Sequence, residues 1–217
     1  MTDTAARTID EGLYERLRCV GTVAVSDALD RLGLVGSAAG IAPLATGQRM
    51  VGSAMTVRYV PIGIKRGTVG DFLDECSANQ VIVLDNGGRT DCTVWGDILT
   101  TLASEKRVAG TAINGVCRDV ERAFALGYPI YSRGRFMRTG KDRVEVADIQ
   151  TTVVLGDVQV RPGDIVHGDD DGVVVIRSSV WRRSPTSPTR SRSSRLASSR
   201  RPSRTSPSPR RGPSSAT

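Results

Sequence analysis

Asp97, Arg118 and Asp119 are the residues of this chain best placed to do chemistry, because of what precedes them. VIVLD (81–85) is a buried-strand sequence that runs through Asn86-Gly87-Gly88 toward Gly96-Asp97-Ile98-Leu99. AGTAING (109–115) is a second such run and leads into Val116-Cys117-Arg118-Asp119. In parallel sheets, ligands bind beyond the carboxyl ends of the strands, where helices begin. The amides of Gly96 to Leu99 open a helix and can bind a carboxylate. Arg118 presents an oxyanion with a planar fork that keeps its charge. Asp119 can hold a hard cation, because Mg²⁺ is usually held by one or two carboxylates with waters and substrate oxygens. Asp97 can orient or deprotonate a water. Together these groups suit a small 2-oxo acid, with its carboxylate on the amides and its keto oxygen on the metal and Arg118. Such a site stabilises an enolate, the intermediate shared by aldol cleavage and 2-oxo-acid decarboxylation. The same residues also have a plain structural use. Aspartate is a good helix N-cap, and Arg118 could be a surface charge.

Other chemistries find less support. His167 is the single histidine, so a Ser-His-Asp triad or a multi-histidine metal site would have to use it. A lone histidine beside a turn reads as structural. There is no G-x-S-x-G, P-loop or H-E-x-x-H, and no G-x-G-x-x-G follows either early strand. Cys19, Cys76, Cys92 and Cys117 lie far apart with no C-x-x-C pair, which reads as core packing and reduced thiols. Asp169-Asp170-Asp171 could suggest a second metal site, but GDDDG between two strand sequences is first of all a turn.

The elements that must position the site alternate along the chain. Residues 10–20 and 23–33 read as helices, 51–61 as a strand ending at Pro61, and 67–79 as a short helix. After the strand at 81–85, residues 97–107 carry Ile98, Leu99 and Leu102 at helical spacing. Residues 118–127 read as a helix closed by Gly127. Beyond it the period changes to two, in short strands separated by Gly, Asp and Pro turns. The reading is an α/β chain: β/α units followed by a β-rich half, in one domain over residues 1–176.

Composition bounds the rest. The formal net charge is +7 over 217 residues, but residues 177–217 hold 11 arginines and no acid. The 19 basic and 23 acidic residues of 1–176 leave that part at −4, which argues against a nucleic-acid-binding domain. Arginine outnumbers lysine 27 to 3, which suggests a GC-rich gene. Arg, Ser and Pro make up 31 of the last 41 residues, so this tail is expected to be disordered. No apolar run is long enough for a membrane span, and the polar N-terminus lacks the features of a signal peptide, so a cytoplasmic protein is expected.

The sequence resembles the RraA-like family, which includes the regulator of ribonuclease activity A and the class II 4-hydroxy-4-methyl-2-oxoglutarate aldolases. The family hallmark is an Asp, twenty intervening residues, then Arg-Asp, matched here by Asp97, Arg118 and Asp119. VSDALDRLG (25–33), VGSAMTVR (51–58), VLDNGG (83–88), WGDILTTLA (95–103), INGVCRD (113–119) and VRPGDIVHGDDDGVVVI (160–176) are similar to family segments, in family order. The resemblance covers about residues 10–176. It implies a layered β/β/α domain akin to swivelling phosphohistidine domains, in homotrimers or hexamers with the site near a subunit boundary. It implies that Gly96, Asp97, Ile98, Leu99 and Arg118 contact substrate, with Asp97 and Arg118 catalytic, and that Asp119 ligates Mg²⁺ or Mn²⁺. The implied activity is cleavage of 4-hydroxy-4-methyl-2-oxoglutarate, or a related 4-hydroxy-2-oxo acid, to pyruvate, with oxaloacetate decarboxylation through the same enolate. The alternative is a non-catalytic protein that binds and regulates a ribonuclease. Relatives are also labelled menaquinone methyltransferases, but no glycine-rich nucleotide loop supports that here.

The resemblance stops at Arg177, where relatives carry an acidic helix-forming segment. A shifted reading frame accounts for this: one GC-rich encoding of WRRSPTSPTRSRSSR, read two bases on, gives AEVADVADEVEVVE. The other explanation is a genuine basic tail that binds nucleic acid or anionic surfaces non-specifically.

Overall fold

A computed structural model of the chain describes residues 11–64 and 67–181. Two helices come first, α1 (Glu11–Cys19) and α2 (Thr22–Arg31). The short β1 (Ala42–Pro43) and the long β2 (Met50–Pro61) follow. Then come β3 (Gln80–Asp85), α3 (Asp97–Glu105), β4 (Gly110–Asn114), α4 (Val120–Leu126) and β5 (Ile130–Ser132). The last part comprises β6 (Val144–Ile149), β7 (Val153–Leu155), β8 (Val158–Val160), β9 (Ile165–Asp169), β10 (Gly172–Ile176) and a one-turn helix, α5 (Ser178–Trp181).

One eight-stranded sheet runs in the order β1-β5-β4-β3-β2-β9-β10, with β6 paired to β2. β2, β3, β4 and β5 are mutually parallel, and α3 and α4 are the crossovers between β3, β4 and β5. β1, β6, β9 and β10 pair antiparallel. The two edges approach each other: Ser37, just before β1, bridges to Val174 of β10, so the sheet curls until it is nearly closed. The β7–β8 hairpin is a separate two-stranded sheet packed against β3 and β4.

Alternation along β3 explains its unbroken apolar sequence, since both faces are covered. Ile82 and Leu84 point to one core with Met55, Ile113, Trp95, Ala103 of α3 and Ala123 of α4. Val81 and Val83 point to the other, with Ala112, Tyr131, Leu155, Val160, Val173 and Val175. Each such fully buried aliphatic side chain contributes about 1.5–3 kcal/mol. A third cluster packs Leu17, Val25 and Leu29 of the first helices on Val51, Ile165 and Val174. The α/β layering expected from the sequence therefore holds, with two refinements. The two β layers are opposite sides of one curling sheet, and α1 and α2 add a helical layer outside β9 and β10.

Two expectations change. Residues 67–79 do not form a helix beyond a single 3-10 turn at Leu73–Glu75. Gly67 and Gly70 lower helix propensity there, and burial of Phe72, Leu73 and Cys76 fixes the segment instead. The ordered chain also continues past Ile176, where the tail was expected to begin. Val180 and Trp181 pack on the third cluster, and the Ser178 amide donates to Asp164 Oδ1 at 2.7 Å. The rest of the expected tail, 182–217, and the first ten residues lie outside the described residues.

GDDDG is a turn, as expected. Asp170 and Asp171 link β9 to β10, and Asp170 Oδ1 accepts the Gly47 amide at 2.7 Å. Asp169 Oδ2 accepts the Thr22 amide at 2.7 Å, and Oδ1 accepts the Thr22 hydroxyl at 2.5 Å. Burial would raise the Asp169 pKa, but these bonds and one from the Asp171 amide outweigh it and hold the carboxyl below its usual range. His167 is fully buried in β9, and neither ring nitrogen has a hydrogen-bond partner among the described residues. Burial pushes its pKa down. Cys76, Cys92 and Cys117 are buried free thiols, whereas Cys19 is exposed.

Candidate active site

The polar groups at the ends of β3 and β4 meet around one cavity of about 380 Å³. It is lined by the segment Thr93–Leu99, by Arg118, by Gly67–Gly70, and by Thr139 and Lys141. This is the lower range for small-ligand sites, roughly 300–1,000 Å³.

The Trp95–Gly96 corner sets the geometry. Trp95 is buried, stacks on Tyr128 at 6.2 Å between centroids, and donates its indole N–H to Thr100 Oγ1 at 2.9 Å. Thr100 Oγ1 in turn donates to the Gly96 carbonyl at 2.8 Å. The Trp95 carbonyl accepts the Arg118 amide at 3.0 Å, which ties the end of β4 to the start of α3. Gly96 is there because of crowding. A Cβ at this position would lie 2.9 Å from Asp119 Oδ2 and 3.5 Å from Arg118 Nε.

Arg118 Nε and Asp119 Oδ2 pair at 3.2 Å, with side chains 39% and 42% exposed. Asp119 stands at the N-cap of α4 in a left-handed conformation (φ 54°, ψ 40°), and its side chain makes no capping bond. N-cap residues normally adopt extended backbone and cap through the side-chain oxygen. The carboxylate is turned instead to Arg118 and Gly96. Asp97 is the first residue of α3, whose N-cap is Gly96, a residue with no side chain to cap with. Its Oδ1 accepts the Ile98 amide at 2.8 Å, so a substrate carboxylate must use the neighbouring amides or displace Asp97. A cross-helix tie holds the two helix starts together. Arg122 Nε donates to Thr101 Oγ1, which donates to the Asp97 carbonyl, both at 2.9 Å.

All six residues picked out from the sequence thus gather here. Gly96, Asp97, Ile98, Leu99 and Arg118 line the cavity, and Asp119 stands beside it against Arg118. Ile98 is 70% exposed at the rim. Among the described residues no group of three or more His, Cys, Asp or Glu could hold a metal. A closed metal centre of that kind does not fit. A divalent cation held by Asp119 with waters and substrate oxygens does fit, since that carboxylate is half-exposed and is not spent on its helix. Sequence reasoning missed Lys141, Thr68, Thr93 and Thr139. The one available signal was compositional: Lys141 is one of 3 lysines beside 27 arginines.

The RraA-like family profile, described as Aldolase/RraA, matches residues 22–175. The chain belongs to the RraA-like family. Among its relatives is a protein of Halalkalibacterium halodurans, provisionally named a 4-hydroxy-4-methyl-2-oxoglutarate aldolase. That protein is 36% identical over 163 residues, covering 74% of each chain. Protein DlpA of Legionella pneumophila is 39% identical over 173 residues, which are 78% of this chain but only 28% of DlpA. Among solved structures, an uncharacterized protein from Pseudomonas syringae superposes with TM-score 0.75 at 37% identity, covering 81% of this chain and 84% of that one. Streptomyces coelicolor RraAS2, described as an unusual member of the RNase ES inhibitor RraA family, superposes with TM-score 0.73 at 28% identity, over 81% and 89% of the chains. The layered α/β fold is therefore that of the RraA-like proteins. No helix among the described residues is long and apolar enough to cross a membrane.

Proposed function

We propose that this RraA-like protein is a divalent-metal-dependent lyase that cleaves 4-hydroxy-4-methyl-2-oxoglutarate, or a related 4-hydroxy-2-oxo acid, to pyruvate. Oxaloacetate decarboxylation is its side activity. The observation that carries this reading is the left-handed Asp119, whose carboxylate leaves its helix uncapped and meets Arg118 at 3.2 Å. Aspartate visits this backbone region more readily than most residues, so the weight of the reading lies on the carboxylate's turn toward Arg118 beside the cavity.

Asp119 would hold the cation, Mg²⁺ or Mn²⁺. When bound, the cation supplies Lewis acidity that stabilises negative charge on the keto oxygen. Arg118 is oriented through Nε by Asp119, which leaves its terminal nitrogens to bind the same developing oxyanion. The amides at Gly96, Asp97 and Leu99 receive the substrate carboxylate. Asp97, through a water, accepts the proton of the 4-hydroxyl as the C3–C4 bond breaks and the C4 carbonyl forms. The electron pair left on C3 is the enolate of pyruvate, and the proton returns there. In oxaloacetate the same bond breaks with loss of CO₂, and C3 is protonated in the same way.

The same reading includes the homotrimer or hexamer that the resemblance implies, with a second subunit bordering the cavity. The buried unpaired thiols support a reducing, cytoplasmic setting. Pyruvate release, followed with and without Mg²⁺ or Mn²⁺, separates the lyase from a ribonuclease-binding regulator. Metal-dependent release is expected, and none from the folded, metal-loaded protein would overturn the reading.

A further inference from the structure

We infer that Lys141 determines specificity at this site by binding a second carboxylate, at the end of the substrate remote from the 2-oxo acid group. The inference rests on the lyase reading and goes beyond it to a residue that the Asp97–Arg118–Asp119 set does not include. Lys141 lines the same cavity as Asp97 and Arg118.

Its backbone is fastened to the wall that carries the other groups. Thr93, two residues before Trp95, forms a parallel bridge with Thr139, and its amide donates to the Arg138 carbonyl at 2.9 Å. Gly140 packs so closely that a Cβ would lie 2.3 Å from the Thr93 carbonyl oxygen. The Lys141 amide donates to Thr139 Oγ1 at 3.2 Å, and Arg143 Nη1 donates to the Lys141 carbonyl at 3.2 Å. The lysine therefore starts from a fixed point relative to Gly96 and Asp97.

Charge supplies the second argument. Among the described residues no carboxylate forms an ion pair with Lys141, whereas Lys106 pairs with Asp74 at 3.6 Å and Arg118 with Asp119. The remaining lining includes Val69, Val94, Trp95, Ile98 and Leu99, which bring no charge. A monocarboxylic 2-oxo acid is fully served by Arg118, the α3 amides and a cation on Asp119, and leaves Lys141 idle. A second carboxylate gives that lysine a partner inside the cavity that it lines together with Arg118 and Asp97. The dicarboxylic substrates proposed above would place their second carboxylate on Lys141.

The test compares binding of two unreactive 2-oxo acids of equal chain length, 2-oxoglutarate and 2-oxopentanoate. Titration calorimetry with Mg²⁺ at fixed ionic strength is applied to the full chain and to Lys141→Ala and Lys141→Arg. One charge-assisted contact corresponds to a preference of roughly 10- to 100-fold for 2-oxoglutarate. Lys141→Ala should reduce that ratio to below about threefold, and Lys141→Arg should keep a substantial part of it. Absence of a preference in the unaltered chain, or one that survives Lys141→Ala, would overturn the assignment. Exchange of the pyruvate methyl protons in D₂O by the unaltered chain tests the lyase reading separately. Exchange with a Lys141-independent preference rejects Lys141 alone. A Lys141-dependent preference without exchange rejects the lyase and keeps the anion site.

Discussion

Gly96→Ala tests whether Gly96, Arg118 and Asp119 act as one unit. The backbone at Gly96 (φ −152°, ψ −164°) is extended and accepts alanine without strain, so the effect is confined to the new methyl group. That methyl would lie 2.9 Å from Asp119 Oδ2, where ordinary contact begins near 3.4 Å. The carboxylate must therefore retreat by about 0.5 Å, the difference of those two distances. Overpacking costs roughly 1–3 kcal/mol in a rigid core. The half-exposed side chains here can yield, so the cost should be near 1 kcal/mol, a fall in Tm of about 2–4 °C. A misplacement of ~1 Å can cost ~10²-fold in rate, so half of that corresponds to about tenfold in kcat/KM. The assay is pyruvate release coupled to lactate dehydrogenase, with Mg²⁺ titrated to saturation. Half-saturation should also shift to higher Mg²⁺, because the displaced carboxylate is the proposed ligand. A folded Gly96→Ala protein with unchanged kcat/KM and unchanged Mg²⁺ dependence would refute the idea that this contact positions Asp119.

Asp119→Asn should abolish metal-dependent turnover while leaving Tm within a few degrees, because asparagine tolerates the left-handed backbone but carries no charge. Mn²⁺ binding followed by electron paramagnetic resonance should fall in parallel, and unchanged binding would remove Asp119 as ligand. Arg118→Lys should lower kcat/KM by ~10²–10³-fold, since lysine keeps the charge but loses the fork. A loss below about fivefold would reduce Arg118 to a bulk charge. His167 gives a stability prediction. Its folded pKa is depressed by burial, so below about pH 6.5 the unfolded chain takes up a proton that the folded chain refuses. Stability should therefore fall as pH drops through that value, by up to about 1.4 kcal/mol per pH unit, and level off below the folded pKa. Denaturant melts of His167→Gln between pH 7.5 and 5 should lack that component, and an identical pH slope in both proteins would refute it.

The fold was legible where one physical signal dominated. The run VIVLD had to be covered on both faces, and it is the strand β3 between two cores. The change of period after Gly127 marked the short strands β5 to β10 correctly. The segment 67–79 was misread because its apolar residues sit at helical spacing while its burial is irregular: Phe72, Leu73 and Cys76 anchor a loop with one 3-10 turn. The set Asp97, Arg118 and Asp119 was legible because strand ends and helix starts converge in parallel sheets. Lys141 was not, because the contact that brings it to the site, Thr93 against Thr139, joins segments 46 residues apart and leaves no local pattern.

The two aspartate groups that residue types left ambiguous use their carboxylates in opposite ways. The N-cap of α2 is Gly21, which has no side chain to cap with, and Asp169 at the end of β9 supplies the cap through the Thr22 amide. Asp169, one of the three acids that could suggest a second metal site, thus does the work of an N-cap, and both its oxygens accept hydrogen bonds. Asp119 sits at an N-cap position and does not cap. An N-cap bond is worth about 1 kcal/mol, and a left-handed aspartate costs of order 1 kcal/mol more. α4 has seven residues, too few for intrinsic helicity to offset that loss. The offset comes from tertiary ties: Ala123 in the core, the Arg118 amide on Trp95, and Arg122 on Thr101. The carboxylate is turned from its helix to Arg118, beside Gly96, and the proposed cation on Asp119 is the ligand that this arrangement would serve.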